Sequence, residues 1–477
     1  MYFNTLPFVI FFAAVCVLFF LVPQKFRWFL LLAASIFFYT YTVPSFLIVL
    51  AISIIINYAV GISTDAKEGS SRKSMLTLGI VLNVALLCFF KYLHLLGESI
   101  TGMFSSFQQT NTFDKSAYFL PIGLSFHTFQ GISYLVEVYK KNFKAERNFG
   151  IFSLYILFFP QVMAGPVEKP QDLLTQFYGT QKLEYNRISA GLRMILWGLF
   201  KKMVIADRVA VYVNSVYGNP ERMSSLTIII GTIFFATQIY CDFSGYVDVA
   251  RGTAKVLGFE LGENFNRPLF GKGVVDKMMR WHISLYKWFR EYVFTPITES
   301  LTGKSLTGML AAVFIVFAIS GLWHGIKSTY LIWALLTAAA IAAEQVFTRM
   351  VKPEKFLPKP VVNLAGVGLS LLLLIPACIY FRAADMQSGT LLLSKFFHPW
   401  GKDAYNVFKG EPPLAFFYGM FGLMFLLAVE FVQEYLPSFK FTGSRFIVVR
   451  FASYLVLVLL IIMIGVFDKT QFIYFQF

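Results

Sequence analysis

Apolar runs long enough to enter a lipid bilayer recur along this chain from its first residues almost to its last, and no other feature restricts its fold as strongly. A spanning helix needs about 20 mainly apolar residues. Twelve candidate spans lie near 7–22, 27–42, 44–61, 76–93, 117–138, 191–206, 226–243, 307–322, 327–347, 361–381, 413–432 and 447–466. Hydrocarbon offers the backbone no hydrogen-bond partners, so such runs must satisfy their own amides and form helices. Composition agrees: 57% of the 477 residues are apolar and only 14% are charged, against about 25% charged in soluble domains. The 18% aromatic share, with 55 Phe, also excludes a disordered chain. The expectation is an all-α, polytopic integral membrane protein of about twelve transmembrane helices, folded as one membrane-embedded domain over 1–477.

Charge placement gives an orientation. No positive residue precedes the first run, Lys25 and Arg27 follow it, and the next run starts at once, so it reads as a retained helix rather than a signal peptide. With Met1 outside, the loops that fall inside carry 28 Lys+Arg against 9 in those outside, as the positive-inside rule requires. The net charge of +15 is accounted for by this topology and gives no reason to expect nucleic acid as a partner. Parity holds only if 149–163 does not cross. Pro160, Gly165 and Pro166 punctuate that stretch, and helix breakers at membrane depth are tolerated where the backbone is buried in protein. Residues 149–166 are therefore expected to be re-entrant, and both termini extracytoplasmic. No internal repeat of the transporter kind is present. Cys16, Cys88, Cys241 and Cys378 lie singly in apolar surroundings and read as core hydrophobes.

Residues 251–304 interrupt the apolar pattern with nine Lys+Arg, five Asp+Glu and recurrent glycine and proline. Within them, 274–292 has helical periodicity. Lys277, Arg280, Ser284 and Lys287 share one face, and Trp281, Leu285 and Trp288 an adjacent one. A basic face beside tryptophans suits a helix lying against lipid headgroups, or a site for the phosphates of a nucleotide-bearing donor.

Of five histidines, His94 and His398 sit at the ends of apolar runs, and His127 reads as a core histidine bonded to a backbone carbonyl. His324, in Ser320-Gly321-Leu322-Trp323-His324-Gly325, ends an otherwise apolar helix, and His282 lies in Arg280-Trp281-His282. An imidazole can take a proton from a hydroxyl and return it to a leaving group near neutral pH. Phosphate-binding, zinc-protease and serine-hydrolase motifs are absent, and no metal site is expected. Asp242 and Asp248, in Cys241-Asp242-Phe243-Ser244-Gly245-Tyr246-Val247-Asp248, are with Glu344 and Glu430 the carboxylates near spans. Such a group serves as a proton relay or pairs with Arg251 or Arg280 to staple helices together, and for Asp242 the structural role is expected.

Four stretches carry a resemblance. They are Phe159-Pro160-Gln161 through Gly165-Pro166 with Lys169-Pro170; Asp242-Phe243-Ser244-Gly245-Tyr246 continuing to Leu257-Gly258-Phe259 and Asn264-Phe265-Asn266-Arg267-Pro268; Arg280-Trp281-His282; and Gly321-Leu322-Trp323-His324-Gly325. Together, over 159–325, they resemble the membrane-bound O-acyltransferase superfamily, in its bacterial alginate O-acetyltransferase-like branch. The resemblance implies helices ringing a central tunnel, with an acyl thioester entering from the cytoplasm and the acceptor from the other side. It implies that His324 is the active-site histidine and His282 the second functional position, with Trp281, Trp323, Asp242 and Ser244 lining or supporting the tunnel. The implied reaction moves acetyl from acetyl-CoA to a cell-envelope or secreted polysaccharide. The implied setting is the bacterial cytoplasmic membrane, with an extracytoplasmic SGNH-like acetyltransferase as partner. Lys277, Arg280, Lys287 and Arg290 become candidate contacts for the coenzyme A phosphates.

The C-terminal residues 467–477 include four aromatics in the last six positions and no charge there. Such a tail either anchors at the outer interface or folds back and presents the Tyr474 hydroxyl to His324. It resembles the tyrosine-containing C-termini of export-acylation systems related to teichoic-acid D-alanylation, in which such a tyrosine is proposed to carry the acyl group. D-alanyl transfer from a carrier-protein thioester is thus an alternative within the enzyme class. A polysaccharide or lipid transporter or flippase is the alternative outside it.

Overall fold

The computed structural model describes residues 1–42, 44–104, 123–301, 305–397, 413–436, 442–444 and 446–467. Among them every regular element is helical. The α-helices are α1 (Leu6–Leu21), α2 (Gln24–Thr42), α3 (Leu47–Ala66), α4 (Gly69–Phe104), α5 (Leu124–Tyr139), α6 (Phe149–Leu157), α7 (Pro170–Leu173), α8 (Tyr185–Phe200), α9 (Asp207–Gly218), α10 (Ser225–Leu257), α11 (Val274–Arg280), α12 (Ile283–Phe289), α13 (Thr295–Leu301), α14 (Leu306–His324), α15 (Ser328–Val351), α16 (Lys359–Arg382), α17 (Met386–Phe396), α18 (Pro413–Tyr435) and α19 (Ile447–Ile464).

Eight of these contain a stretch long and apolar enough to cross a membrane: α3, α4, α10, α14, α15, α16, α18 and α19. They match eight of the twelve expected spans. The other four are shorter or more polar in the described residues. The 16-residue α1 is apolar but short, α2 carries Lys25 and Arg27, and α5 starts only at Leu124. The run at 191–206 is part of a longer helical path through α8, a π-helical turn Lys201–Ala206 and α9. The loop expected to start at 207 is therefore helix as far as Gly218.

The chain divides into two compact units, Met1–Gly191 with Ala250–Gly262, and Leu192–Val249 with Glu263–Phe477. In the first, α3, α4 and α5 pack through small and amide residues. Asn57 and Asn83 exchange side-chain hydrogen bonds of 3.0 and 2.9 Å between α3 and α4, so neither amide is stranded. Over 149–166 the chain forms a short helix followed by irregular backbone. Asn148 caps α6 by accepting from the Gly150 and Ile151 amides, and the helix stops at Leu157. Nine residues rise only about 14 Å, half a hydrocarbon core. Residues 151–166 are buried throughout, and their backbone finds partners in protein. The Phe159 amide donates to Ser35 Oγ at 3.0 Å, and the Tyr155 carbonyl accepts from Gln130 and Gln161.

In the second unit, α14, α15 and α16 pack in succession, and α18 lies on α9. Of the helices here long enough to span a membrane, α19 is the barest: Leu457 is its one buried residue, while Val448, Phe451, Leu455, Ile462 and Met463 are exposed. A helix apolar on its open side is solvated by lipid.

Candidate active site

His324 ends α14 because of what flanks it. The apolar run supplies the helix, Ser305 caps its start by accepting from the Gly308 amide, and Gly325 leaves it with extended backbone. Both glycines of Gly321-Leu322-Trp323-His324-Gly325 serve a close approach of α15. A Cβ on Gly321 would stand 2.9 Å from Ala334 Cβ and 3.0 Å from the Tyr330 carbonyl oxygen, and one on Gly325 would stand 2.9 Å from the Tyr330 ring. The approach encloses the imidazole, which is 5% exposed. Trp323, Trp333 and Phe381 lie at ring-centroid distances of 4.6, 4.9 and 5.2 Å, the last two nearly perpendicular to it. Tyr330 stands at 6.2 Å.

His282 is held differently. The helix expected over 274–292 is broken at this residue: α11 ends at Arg280, Trp281 is extended, and His282 adopts left-handed backbone with φ 44° and ψ 53°. The break is fixed by the loop at 264–266. The Ile283 amide donates to the Asn264 carbonyl at 2.9 Å, and the Asn266 amide to the Arg280 carbonyl at 3.0 Å. The Asn264 side chain accepts from Ser284 N and Oγ and lies 3.2 Å from His282 Nδ1. A side-chain periodicity carries no information about such a backbone reversal. The imidazole stands edge to face with Phe243 at 4.7 Å, and burial pushes its pKa down to about 3.

Aromatic packing joins the two histidine surroundings. Phe265 lies 6.4 Å from the His282 ring and 5.2 Å from the Trp281 ring. Trp281 in turn packs against the cluster that contains Tyr330 and Phe381, with Trp333 beside it. His282 and His324 thus border one continuous aromatic body.

Lys277, Arg280 and Lys287, expected on one face with Ser284, are separated by the break at His282. Lys277 is buried, and its Nζ donates to the Leu269 and Gly271 carbonyls, each at 2.9 Å. Arg280 pairs with Asp276 and Glu434, each at 3.0 Å. Arg267 reaches the same Glu434 at 2.7 Å. These two residues secure the loop around His282, while Lys287 and Arg290 are exposed beyond the break.

Asp242 is an ion-pair residue, as expected, but its partner is Lys202 at 2.5 Å and not Arg251 or Arg280. Lys202 also meets Asp207 at 2.8 Å, and Lys201 meets Asp248 and Ser244, each at 2.8 Å. The lysines went unnoticed in the sequence because a hydropathy average absorbs two charges in an apolar run. The signal that would have found them is Gly198, whose absent Cβ would stand 2.5 Å from the Gly245 carbonyl oxygen. Backbones that touch there bring Lys201 and Lys202 onto the acids of α10. Trp323 is buried, and Glu344 accepts from the Val274 amide.

His127 is buried in the first unit. Gly123, at φ 83°, makes room beside it: a Cβ there would meet the Val162 carbonyl oxygen at 2.4 Å and His127 Nε2 at 3.0 Å. His398 and Tyr474 lie outside the described residues.

Comparison with known proteins is consistent across the chain. The family model for MBOAT, the membrane-bound O-acyltransferase family, matches residues 74–382, which include both histidine motifs. The chain is 31% identical to the probable alginate O-acetylase AlgI of Pseudomonas putida over 384 residues, covering 80% of this chain and 76% of that protein. It is 30% identical to the peptidoglycan O-acetyltransferase of Helicobacter pylori over 391 residues, covering 76% and 72%. A teichoic acid D-alanyltransferase of Bacillus subtilis is 28% identical over 253 residues, covering 50% of this chain and 62% of that protein. With its multiple apolar helices, its paired histidine motifs and these likenesses, the chain belongs to the membrane-bound O-acyltransferase family.

Proposed function

We propose that this protein transfers acetyl from cytoplasmic acetyl-CoA, as substrate, to a hydroxyl destined for a cell-envelope or secreted polysaccharide. The observation that carries the reading is that His324 and His282, far apart in sequence, border the same buried aromatic body in a chain whose relatives include proteins named for O-acetylation of alginate and peptidoglycan. The reading places the protein in the bacterial cytoplasmic membrane with both termini outside, and hands the acetyl group to an SGNH-like partner there.

In this mechanism His324 takes the proton of the attacking hydroxyl while the oxygen adds to the thioester carbonyl carbon. The carbon–sulfur bond then breaks, and the imidazolium returns the proton to the departing thiolate. His282 positions the reacting groups or makes the second proton transfer. The aromatic surroundings keep water from competing with the hydroxyl. Lys287 and Arg290, exposed beyond the break, are the basic residues left for the coenzyme A phosphates, because Lys277 and Arg280 are engaged within the fold. Tyr474 is the proposed intermediate acceptor, its phenol carrying acetyl between coenzyme A and the outer partner.

Purified protein in lipid, supplied with acetyl-CoA, tests the reading. Slow thioester hydrolysis that stops in His324→Ala supports it, and full hydrolysis in that variant overturns it. Turnover of a carrier-protein D-alanyl thioester in preference to acetyl-CoA would favour the teichoic acid reaction instead.

A further inference from the structure

Asn264 is fully buried, and its side-chain oxygen accepts from two donors and lies against a ring nitrogen of His282. The Ser284 backbone N–H, 3.0 Å away, can only donate, so the amide atom facing it is Oδ1 and not Nδ2. The Ser284 hydroxyl reaches the same oxygen at 2.9 Å, and His282 Nδ1 lies 3.2 Å from it. An amide oxygen has no proton to give. Of the two neutral imidazole tautomers, the one with hydrogen on Nδ1 makes this contact attractive, and the other sets two lone pairs against each other.

We propose that Asn264 is a positioning residue that holds His282 as the neutral Nδ1–H tautomer, leaving the Nε2 lone pair as the proton-accepting end of the ring. The backbone shares the task. The Ile283 amide on the Asn264 carbonyl and the Asn266 amide on the Arg280 carbonyl hold His282 in left-handed φ and ψ, a conformation that non-glycine residues seldom adopt.

The choice of an amide over a carboxylate at 264 has its own logic. Among the described residues Asn264 Nδ2 is buried without a hydrogen bond, a loss that an aspartate would avoid while keeping the same three contacts. An aspartate, however, would place a negative charge on Nδ1–H and draw a second proton onto the ring. A base must be unprotonated to act, so neutrality at 264 is worth a stranded amide hydrogen. Burial acts in the same direction, favouring the uncharged imidazole. From α10 the ring meets Phe243, and from the 264–266 loop Phe265 and Asn264; none of these titrates.

The inference rests on the acyltransfer reading for its purpose, but its test does not depend on activity. Nitrogen-15 solid-state spectra of histidine-labelled protein in lipid, with the His282 signals identified by their loss in His282→Gln, report the tautomer directly. The expected result is a protonated Nδ1 and an unprotonated Nε2 in the wild type at neutral pH. A neutral ring protonated at Nε2 would overturn the proposal. Asn264→Asp keeps every acceptor contact, so a merely structural Asn264 predicts an unchanged ring and an unchanged pH–rate profile. Positioning predicts a ring that takes its second proton about 1–3 pH units higher than in the wild type, with the acid limb of kcat/KM moved upward by the same amount. Identical pH titrations of the ring signals in Asn264→Asp and wild type would count against it. A wild type with the expected tautomer and no acetyl transfer would remove the proposed function alone.

Discussion

Lys202 Nζ lies 2.5 Å from Asp242 Oδ1, joining the π-helical turn after α8 to the middle of α10 inside the second unit. Both side chains are largely buried, and Asp207 completes a three-membered group on the same ammonium. Charges taken out of water are stable only with their partners, so the group fixes how the two helices meet more than it adds to net stability. Lys202→Met would strand two carboxylates and is expected to cost about 3–5 kcal/mol. Combining it with Asp207→Asn and Asp242→Asn would recover part of that loss. Thermal unfolding in detergent of the single and triple variants measures both, and equal melting of Lys202→Met and wild type would show that the group carries no such weight.

The Gly198–Gly245 contact is the steric condition for this pairing. Added side chains would meet backbone, with a Cβ on Gly198 2.5 Å from the Gly245 carbonyl oxygen and one on Gly245 2.7 Å from that of Gly198. Neither atom has a flexible end to move aside. Gly245→Val is expected to reduce the yield of monodisperse protein severely, as overpacking beyond the usual cost of about 1–3 kcal/mol. Gly218→Ala, where a Cβ meets nothing within 4 Å, is the matched control and should behave as wild type.

Much of this arrangement was legible in the residues. The apolar run before Trp323-His324 and the glycine after it announce a helix that ends on the histidine, and α14 does end there. Pro160, Gly165 and Pro166 announce an interruption of helix, and α6 is a nine-residue helix followed by buried irregular chain. The reversal at His282 was hidden because Lys277, Arg280, Ser284 and Lys287 keep helical spacing across it. The cause is the 264–266 loop, whose backbone bonds Ile283 and Arg280, and a long-range hydrogen bond has no periodicity. Lys201 and Lys202 were hidden because Asp248 and Asp242 lie on another helix, reached through a backbone contact between glycines.

Protonation of His282 should be visible in stability. The unfolded imidazole titrates near 6.5, whereas burial pushes the folded one down to about 3. The unfolded chain therefore binds this proton first. Stability that is complete above pH 6.5 is lost as pH falls from 6.5 toward 3, with a slope approaching about 1.4 kcal/mol per pH unit. Comparing the melting of wild type and His282→Gln over that window cancels the carboxylates common to both. The difference should move against the wild type as the medium is acidified, and a flat difference would mean that His282 is charged in the folded protein.

The last prediction separates the chemical role of His324 from that of the proposed relay tyrosine. A buried imidazole that accepts the hydroxyl proton contributes about 10²–10⁴-fold to rate, so His324→Ala should lose at least that factor for every acceptor. Tyr474→Phe keeps the ring and removes only the hydroxyl. If that phenol carries acetyl, the variant loses delivery to the polysaccharide while acetyl-CoA still reaches the histidines and is hydrolysed slowly by water. Mass spectrometry of the C-terminal peptide after exposure to isotopically labelled acetyl-CoA should then find label in the wild type, none in Tyr474→Phe and none in His324→Ala. Unlabelled wild-type peptide together with normal polysaccharide acetylation by Tyr474→Phe would leave the histidine its role and reduce the tail to an anchor.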